Sequence, residues 1–449
     1  MQEHKTIQSY LDVVAEQIRW KRARSIVTAE LERHLEDQRD AFVRDGVENA
    51  EELAVEEMGD PVAVGTDLDR IHRPKPQWGM LAMTIILALA GVLLRIFLTA
   101  GWEVEYMVED PVRALIAFAV GCIALLAGYF LDYSRLSRHV GKLYLGTLVI
   151  GAVLLWRSPI ISGTSYYARY ITLIFPVVYA LWLFSCRNKR WYGLVMAFSG
   201  GVPLALFCCL VPYKMSLFVY LLSGLIMIVM AAWNDWFGLG KWKSLFSPLA
   251  CAGIGIVTYG MIAWNWAEAR LRIFLHPEKD PLGRGYQALK IREALKYARR
   301  IGEGTWETAV SQYPYEKLVP ECESDAFLTT VIYKLGWVPF LLIVLTFAVF
   351  MFWLMIRYTK QKSQLGRLIV MAVILPLTMQ AMLSTAWSLG FTLISAPFPL
   401  IVGNLTTVLN MGLLGLALSV FRGDSIARNT ENSKKERQRI RVKLIVERV

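Results

Sequence analysis

Cysteine, histidine and charged residues are all scarce in this 449-residue chain, and each scarcity excludes a class of protein. Only one of the six cysteines, Cys322, falls in the longest polar loop, so no disulfide framework is expected. The five histidines are scattered without metal-ligand spacing. Charged residues make up 19% of the chain and hydrophobic residues 55%. A soluble domain of this size does not need so large a hydrophobic share to fill one core.

Long hydrophobic runs dominate what is present. Ten of them can cross a hydrocarbon core of about 30 Å, which needs roughly 17 to 25 apolar residues. They lie near 78–98, 112–131, 140–156, 167–184, 192–211, 217–233, 248–266, 327–356, 368–389 and 399–421. The runs are continuous rather than alternating, so backbone pairing in lipid requires helices and excludes a barrel. The predicted fold is an all-α, polytopic membrane protein with about ten transmembrane helices. No cleavable signal peptide is expected, because the first run begins only after Pro76.

Basic residues cluster in alternate connections and therefore predict the orientation. The clusters are Arg135, Arg138 and Lys142; Arg187, Lys189 and Arg190; Lys241 and Lys243; and Arg357, Lys360, Lys362 and Arg367. Acidic residues occupy the first connection of the opposite set. Since basic loops remain in the cytoplasm, both termini are predicted inside a plasma membrane. The large loop 267–326, between the seventh and eighth helices, is then extracytoplasmic.

Composition divides the chain into three parts: a helical domain at 1–76, a transmembrane domain at 77–421 and a basic tail at 422–449. The net charge of +11 comes mainly from membrane-flanking residues and this tail, which predicts anionic membrane lipids as partners and no nucleic acid. Apolar residues at helical spacing in the first part predict three or four short cytoplasmic helices, broken at Gly46 and at Gly59. Residues 26–68 resemble the HAAS-like helical prefix found before permease-like segments, which implies a regulatory or interaction module. A solvated helical cap is the alternative.

The polar loop contains an amphipathic pattern at 286–301, with Ala288, Ile291, Leu295 and Ala298 on one face. We predict a helix lying on the outer leaflet. Its cations, Lys290, Arg292, Arg299 and Arg300, would meet headgroup phosphates or the diphosphate of a lipid-linked substrate. Nonspecific adhesion to the membrane surface is the alternative.

Asp325 lies where this loop re-enters the membrane, just before an apolar run. An ionisable group at such a boundary is costly to desolvate, which makes it a functional candidate. The alternative is structural: Ser324 and Asp325 could cap the helix that follows.

Two segments of the loop carry a family resemblance: DPLGRGYQ at 280–287, and PECESDAFLTTVIYKLGW at 320–337, with Gly302 and Gly304 between them. Together with ten spans, they resemble the SEDS proteins, the FtsW/RodA/SpoVE group of cell-wall polymerases. The matching residues are Asp280, Pro281, Gly283, Gly285, Tyr286, Gln287, Pro320, Glu321, Asp325, Leu335 and Gly336.

The resemblance implies a peptidoglycan glycosyltransferase that polymerises lipid II during cell-wall synthesis, cell division or shape maintenance, paired with a class B penicillin-binding protein. It makes Asp325 the catalytic carboxylate, which would deprotonate the acceptor hydroxyl. Substrate contacts are expected from Tyr286, Gln287 and Glu321 and from the four cations of the loop helix. A divalent cation remains open as a cofactor.

Several positions depart from the family pattern. Residues 296–299 replace a glycine-rich element, Glu323 stands in place of a histidine, and Lys334 replaces the glutamate of an E-L-G triplet. Residues 397–404 differ from the PFxSYGGSS motif, and the QPSE signature is reduced to a remnant around Arg169. These changes favour one alternative, a non-catalytic scaffold or regulator of a penicillin-binding protein. A transporter of the lipid-linked precursor is the other, and it predicts charges paired at mid-membrane depth.

Overall fold

The computed structural model describes residues 6–74, 76–100, 111–161, 163–306, 314–401 and 404–423, without the side chains of 21, 22, 251, 252 and 254–267. The regular secondary structure of these residues is helical apart from a hairpin of two-residue strands, which confirms the all-α prediction. The described residues form two compact units. One contains the chain up to Gln77 with 361–364 and the segment from Val420, and the other contains 78–360 and 365–419.

The N-terminal unit contains four helices, in agreement with the upper number predicted. They are α1 (Ile7–Gln17), α2 (Lys21–Arg44), α3 (Ala50–Met58) and α4 (Pro61–His72). Gly46 and Gly59 end helical segments at φ 79° and 85°, as predicted from the ease with which glycine adopts positive φ. The α2 helix is longer than expected, because no glycine or proline interrupts residues 21–44. The hydrophobic core between these helices contains Leu11, Val14, Leu35 and Ala54.

Nine helical segments of the described chain are long and apolar enough to cross a membrane. They are α5 (Trp78–Thr99), α6 (Pro111–Phe130), α8 (Val140–Arg157), the segment Ala168–Ser185, α11 (Arg190–Leu210), α12 (Lys214–Trp233), α17 (Trp337–Lys360), α18 (Gln364–Ser388) and α19 (Leu405–Arg422). The segment Ala168–Ser185 consists of α9 (Ala168–Ile171), a 3-10 turn (Thr172–Ile174) and α10 (Phe175–Ser185). The remaining predicted span, 248–266, lies within the 35-residue helix α13 (Lys241–Leu275). Most side chains of that span fall outside the description.

The other elements are short. They are α7 (Tyr133–Arg138), the hairpin of β1 (Ile160–Ile161) and β2 (Thr164–Ser165), a 3-10 turn (Pro277–Lys279), α14 (Tyr286–Lys296), α15 (Tyr315–Leu318) and α16 (Phe327–Leu335). In the hairpin, Ile160 pairs with Ser165 and Ile161 with Thr164.

The predicted span 327–356 is wrong as a single helix, because the chain breaks at Gly336. Its φ is 103°, and a Cβ there would lie 2.5 Å from the backbone oxygen of Arg300, so only glycine fits. The break leaves α16 as a short helix buried in the protein, and α17 alone is the helix long and apolar enough to cross a membrane. The last predicted span, 399–421, starts too early in the chain, because α19 begins only at Leu405.

The loop helix differs from its prediction as well. It ends at Lys296 instead of 301, and the apolar residues of its inner face are already buried within the protein. Ile291 and Ala294 are fully buried in a cluster with Trp306 and Tyr315 of the loop, Tyr333 of α16 and Trp387 of α18. The prediction of a helix lying on the outer leaflet is therefore wrong, because this face packs against the rest of the loop and against α16 and α18.

Candidate functional site

The motif at 280–287 is a tight turn from which α14 begins. The carboxylate of Asp280 accepts a hydrogen bond from the amide of Arg284 at 3.0 Å, and its backbone oxygen accepts one from Gly285 at 3.0 Å. A Cβ on Gly285 would lie 2.1 Å from the backbone oxygen of Pro277, so a side chain could not fit there. The motif thus fixes the position at which α14 starts.

Two side chains in the first turn of α14 hold the segment that leads to Asp325. The Tyr286 hydroxyl donates to the backbone oxygen of Leu318 at 3.5 Å. The Gln287 amide donates to the backbone oxygen of Pro320 at 3.1 Å and to the Glu321 carboxylate at 3.3 Å. Glu321 itself adopts φ 58°, and its backbone oxygen accepts from two amides of the turn that follows. These contacts give Tyr286 and Gln287 a positioning role.

Asp325 lies at the end of this turn, half-buried. The alternative that it caps α16 is wrong, because the N-cap residue is Ala326 and no side chain makes a capping hydrogen bond there. Its carboxylate instead accepts a hydrogen bond from the Ser395 hydroxyl. Burial and the nearby charge of Glu321 raise the pKa of Asp325 to about 7, although the bond from Ser395 and the charge of Arg169 act in the opposite direction.

Arg169 approaches Asp325 from the first turn of the fourth span. Its guanidinium carbon lies 4.6 Å from the ring centre of Tyr166, 4.9 Å from that of Tyr170 and 5.8 Å from that of Tyr213, distances typical of cation–π contacts. Its Nη2 also donates to the Tyr170 hydroxyl at 3.0 Å. The small hairpin β1–β2 holds Tyr166 in place, because the amide of Tyr166 donates to the backbone oxygen of Pro159, on the chain before β1.

Tyr213 links the same cation to the acidic group from a third connection, just before α12. Burial raises its pKa well above the ordinary value, and the negative charge of Asp325 adds to that shift. The segment Ala168–Ser185 and α12 are joined by a buried hydrogen bond of 2.5 Å between the hydroxyls of Thr172 and Ser216. Four connections that are distant in sequence therefore meet at one end of the helix bundle: the hairpin, the turn at Tyr213, the large loop and the segment that contains Ser395.

The four loop cations predicted as substrate ligands make their described contacts with groups other than Asp325. Lys290 pairs with Glu293 at 2.9 Å and lies 5.6 Å from the ring centre of Trp306. Arg292 donates through Nε to the backbone oxygen of Gly390 at 3.3 Å. Arg299 and Arg300 have exposed side chains, and their backbone oxygens accept from the amides of residues 337 and 338, beside the break between α16 and α17. Their role as substrate ligands stays a prediction.

Sequence reasoning missed Tyr213 and Ser395 and noted Arg169 only as a motif remnant. The signal for Arg169 was present, because an arginine at a membrane boundary among tyrosines meets the same criterion that singled out Asp325. Ser395 carries no local signal, since only the fold brings residues 325 and 395 together. Residues 424–449 of the basic tail and residues 402–403 of the changed PFxSYGGSS segment lie outside the described residues.

Comparison with known proteins adds the family. The family model described as "Cell cycle protein", FtsW/RodA/SpoVE, matches residues 77–425, well over half of the chain. None of the curated proteins compared with the chain matches it.

Two solved structures share the fold. One is a chain from a study of how a peptidoglycan synthase complex coordinates polymerization and crosslinking. Its TM-score is 0.58 at 18% identity, and the match covers 78% of this chain and 98% of that one. The other is the rod shape determining protein RodA of Thermus thermophilus, with a TM-score of 0.51 at 14% identity, covering 78% of this chain and 97% of that one.

Proposed function

Because this chain belongs to the FtsW/RodA/SpoVE family, multi-pass membrane proteins of peptidoglycan synthesis, we propose that it is a glycosyltransferase that polymerises lipid II. The reaction would take place at the outer face of a bacterial plasma membrane. Membership of the family confirms the resemblance inferred from the loop motifs. The helical prefix at 1–76 lies outside the matched residues, and its HAAS-like identity stays a prediction.

The observation that carries the proposal is the environment of Asp325. A general base works best when its pKa lies near the operating pH, because it is then deprotonated yet basic enough to take a proton. Burial and the charge of Glu321 raise the pKa of Asp325 to about 7, whereas an ordinary aspartate titrates near 3.8. Asp325 makes no capping contact, so its carboxylate is not held by the N-terminus of the helix that follows.

The chemistry follows from this position. Asp325 takes the proton of an acceptor sugar hydroxyl while the oxygen forms a bond to the anomeric carbon of the donor. On the opposite side of that carbon, the bond to the diphosphate oxygen breaks and the lipid diphosphate leaves with the electron pair. An α-linked donor thus gives a β-linked glycan, and Asp325 later releases its proton to water. A cation beside Asp325 stabilises the charge that develops on the leaving oxygens.

A divalent cation as cofactor stays a prediction. Within the described ranges, no three His, Cys, Asp or Glu side chains come together as a metal site. Asp325 and Glu321 are instead accompanied by the guanidinium of Arg169. No step of the proposal uses a metal.

A class B penicillin-binding protein is the proposed partner. The support is the fold that the chain shares with a component of a peptidoglycan synthase complex. A glycan strand made at the outer face must be crosslinked there, so a transpeptidase that works beside this protein would receive its product directly.

The test is an assay of the purified full-length protein with labelled lipid II. We expect glycan product from the wild type and no detectable product from Asp325→Asn, which keeps the volume of the side chain and removes the base. Glu278→Gln is the matched control, because Glu278 is an exposed carboxylate of the same loop. Absence of product from the wild type, with intact binding to a transpeptidase, would instead support the non-catalytic scaffold.

A further inference from the structure

The hairpin β1–β2 presents an apolar edge that the rest of the described chain leaves largely uncovered. Ile160 is 78% exposed and Ile161 is 48% exposed, although successive side chains of a strand point to opposite faces. The second strand differs, because Ser165 is buried and Thr164 is half-buried. The hairpin therefore packs against the protein through β2 and turns β1 outward. A two-stranded hairpin is marginally stable by itself in water, so a contact that covers β1 would stabilise it.

The surface that leads to this edge belongs to a membrane span. The helix α8 ends at Arg157, and Val149 and Val153 form an exposed apolar stripe along it at helical spacing. In a helix long and apolar enough to cross a membrane, such a stripe faces lipid. Trp156 continues the stripe with 83% exposure. Ile160 follows Arg157 within about 10 Å, the reach of three extended residues. The apolar edge of the hairpin is thus continuous with the lipid-facing surface of α8.

The backbone of β1 limits how deep this edge can lie. Within the described residues the sheet has two strands, so the outer side of β1 is an open edge. Hydrocarbon cannot satisfy the polar groups of an open edge, which excludes β1 from the core of a bilayer. The headgroup region supplies water and lipid oxygens while it still accepts apolar side chains. Trp156 and the exposed Arg157 favour the same level, where an indole ring and a cation both meet headgroups.

We propose that the hairpin is a membrane anchor, which inserts Ile160 and Ile161 into the headgroup region of the leaflet at the site end of the helix bundle. By the predicted orientation this is the outer leaflet. The anchor also holds Tyr166, whose amide donates to the backbone oxygen of Pro159 at 3.0 Å and whose ring contacts Arg169. The bilayer itself thereby helps to order the candidate site. This contact needs a lipid surface and no substrate, so its test is independent of the proposed glycosyltransferase activity.

Spin labelling measures the depth of the hairpin. In a full-length parent whose six cysteines have been replaced, nitroxides are attached to Ile160→Cys, Val149→Cys and Glu278→Cys, in nanodiscs of phosphatidylcholine and phosphatidylglycerol. Val149 marks the lipid-facing middle of α8, and Glu278 has an exposed side chain in the large loop. We expect the accessibility of Ile160→Cys to a water-soluble nickel complex to be at least threefold below that of Glu278→Cys. It should be at least twofold above that of Val149→Cys, because the headgroup region is partly hydrated.

Both limits can overturn the proposal. A difference of less than threefold from Glu278→Cys would place β1 in water, where its open edge is free to pair with a strand of another protein. A difference of less than twofold from Val149→Cys would place the hairpin in hydrocarbon and contradict the level assigned to it. If Ile160→Cys does not fold, Ile161→Cys decides by the same criteria.

Hydrogen exchange tests whether the anchor holds Tyr166. Combining Ile160→Thr with Ile161→Thr keeps two β-branched side chains, and so the strand propensity, but removes apolar surface. In nanodiscs, we expect the amide of Tyr166 to exchange at least fivefold faster in this double variant than in the wild type. The matched control combines Ile160→Val with Ile161→Val, keeps both side chains apolar and should stay within twofold of the wild type. A smaller effect of the first pair, or an equal effect of the two pairs, would overturn the link between the membrane contact and Tyr166.

Discussion

Asp325 and Glu321 are two carboxylates of one turn, and their mutual repulsion makes the ionisation of Asp325 sensitive to its neighbour. Burial is the largest cause of the raised pKa, about 7, and the charge of Glu321 is the next. A base must be deprotonated, so the rate of glycan formation should rise with pH through about 7 and level off above it. Replacing Glu321 with Gln removes the like charge, lowers the pKa of Asp325 and moves this midpoint to lower pH.

The complementary change is Ser395→Ala. The hydroxyl of Ser395 stabilises the carboxylate form, so its loss raises the pKa of Asp325 and moves the midpoint to higher pH. Initial rates with labelled lipid II across neutral pH measure both shifts. Midpoints that move in the same direction in the two variants, or that do not move, would contradict this assignment of the base.

At this scale the sequence reveals individual residues better than their partners. Asp325 could be singled out as a candidate because a charged group at a membrane boundary is rare and because it lies in a matching motif. The interaction of Asp325 with Ser395 and Arg169 could not be predicted, since these residues are separated from it by about 70 and 156 positions. Tyr286 and Gln287 also lie in the motif, but their hydrogen bonds to Leu318 and Pro320 indicate positioning, which a motif alone does not distinguish from substrate contact.

Among the elements, the break between α16 and α17 depends on Gly336. Its φ of 103° is unfavourable for other residues, and an added Cβ would also meet the backbone of Arg300 at 2.5 Å. We expect Gly336→Ala to destabilise the loop by about 2 kcal/mol or more, by combining backbone strain with a collision. The measurement is the midpoint of thermal unfolding of the purified protein.

Gly302 supplies the matched control for that prediction. Its φ is 88°, but no atom lies within 4 Å of the position that a Cβ would take. Gly302→Ala therefore carries the backbone strain without the collision and should lower the midpoint less than Gly336→Ala does. Equal effects would show that the contact with Arg300 contributes nothing.

A second pair of glycines tests the packing of α6 against α19. A Cβ on Gly415 would lie 2.1 Å from the backbone oxygen of Leu125, whereas a Cβ on Gly412 would lie 3.5 Å from Ala124, an ordinary contact. Close approach of helix backbones is a main source of stability between transmembrane helices, because lipid provides no hydrophobic driving force. Gly415→Ala should force the helices apart and lower the unfolding midpoint by several degrees. Gly412→Ala should leave it nearly unchanged, and the reverse order would contradict the packing.

The elements also show where a hydropathy pattern stops being informative. Nine of the ten predicted spans correspond to the candidate membrane helices of the described residues, because an uninterrupted apolar run has no other stable form in lipid. The pattern failed at Gly336, where α16 and α17 are both apolar and the conformation of one glycine separates them. It failed again at 286–301, because an apolar helix face looks the same whether it meets lipid or the aromatic cluster around Trp306.

For the whole molecule, the orientation in the membrane decides whether the proposed reaction can occur. Arg169, Tyr213, Asp325 and Ser395 all lie at the end of the helix bundle opposite the connections that carry the basic clusters. If basic connections stay in the cytoplasm, the site faces the exterior, where lipid II is polymerised. The opposite orientation would place the base in the cytoplasm and exclude the proposed function.

Cysteine labelling tests this directly. In a parent protein whose six cysteines have been replaced, Leu282→Cys adds one thiol to the large loop, where the side chain is 92% exposed. Asn234→Cys adds one to an exposed position in the connection after α12, at the other end of the bundle. A membrane-impermeant maleimide should label Leu282→Cys in intact cells and Asn234→Cys only after permeabilisation, whereas the parent should not be labelled in either condition. Labelling of Asn234→Cys alone in intact cells would place Asp325 on the cytoplasmic side, and no external polymerisation could then be assigned to it.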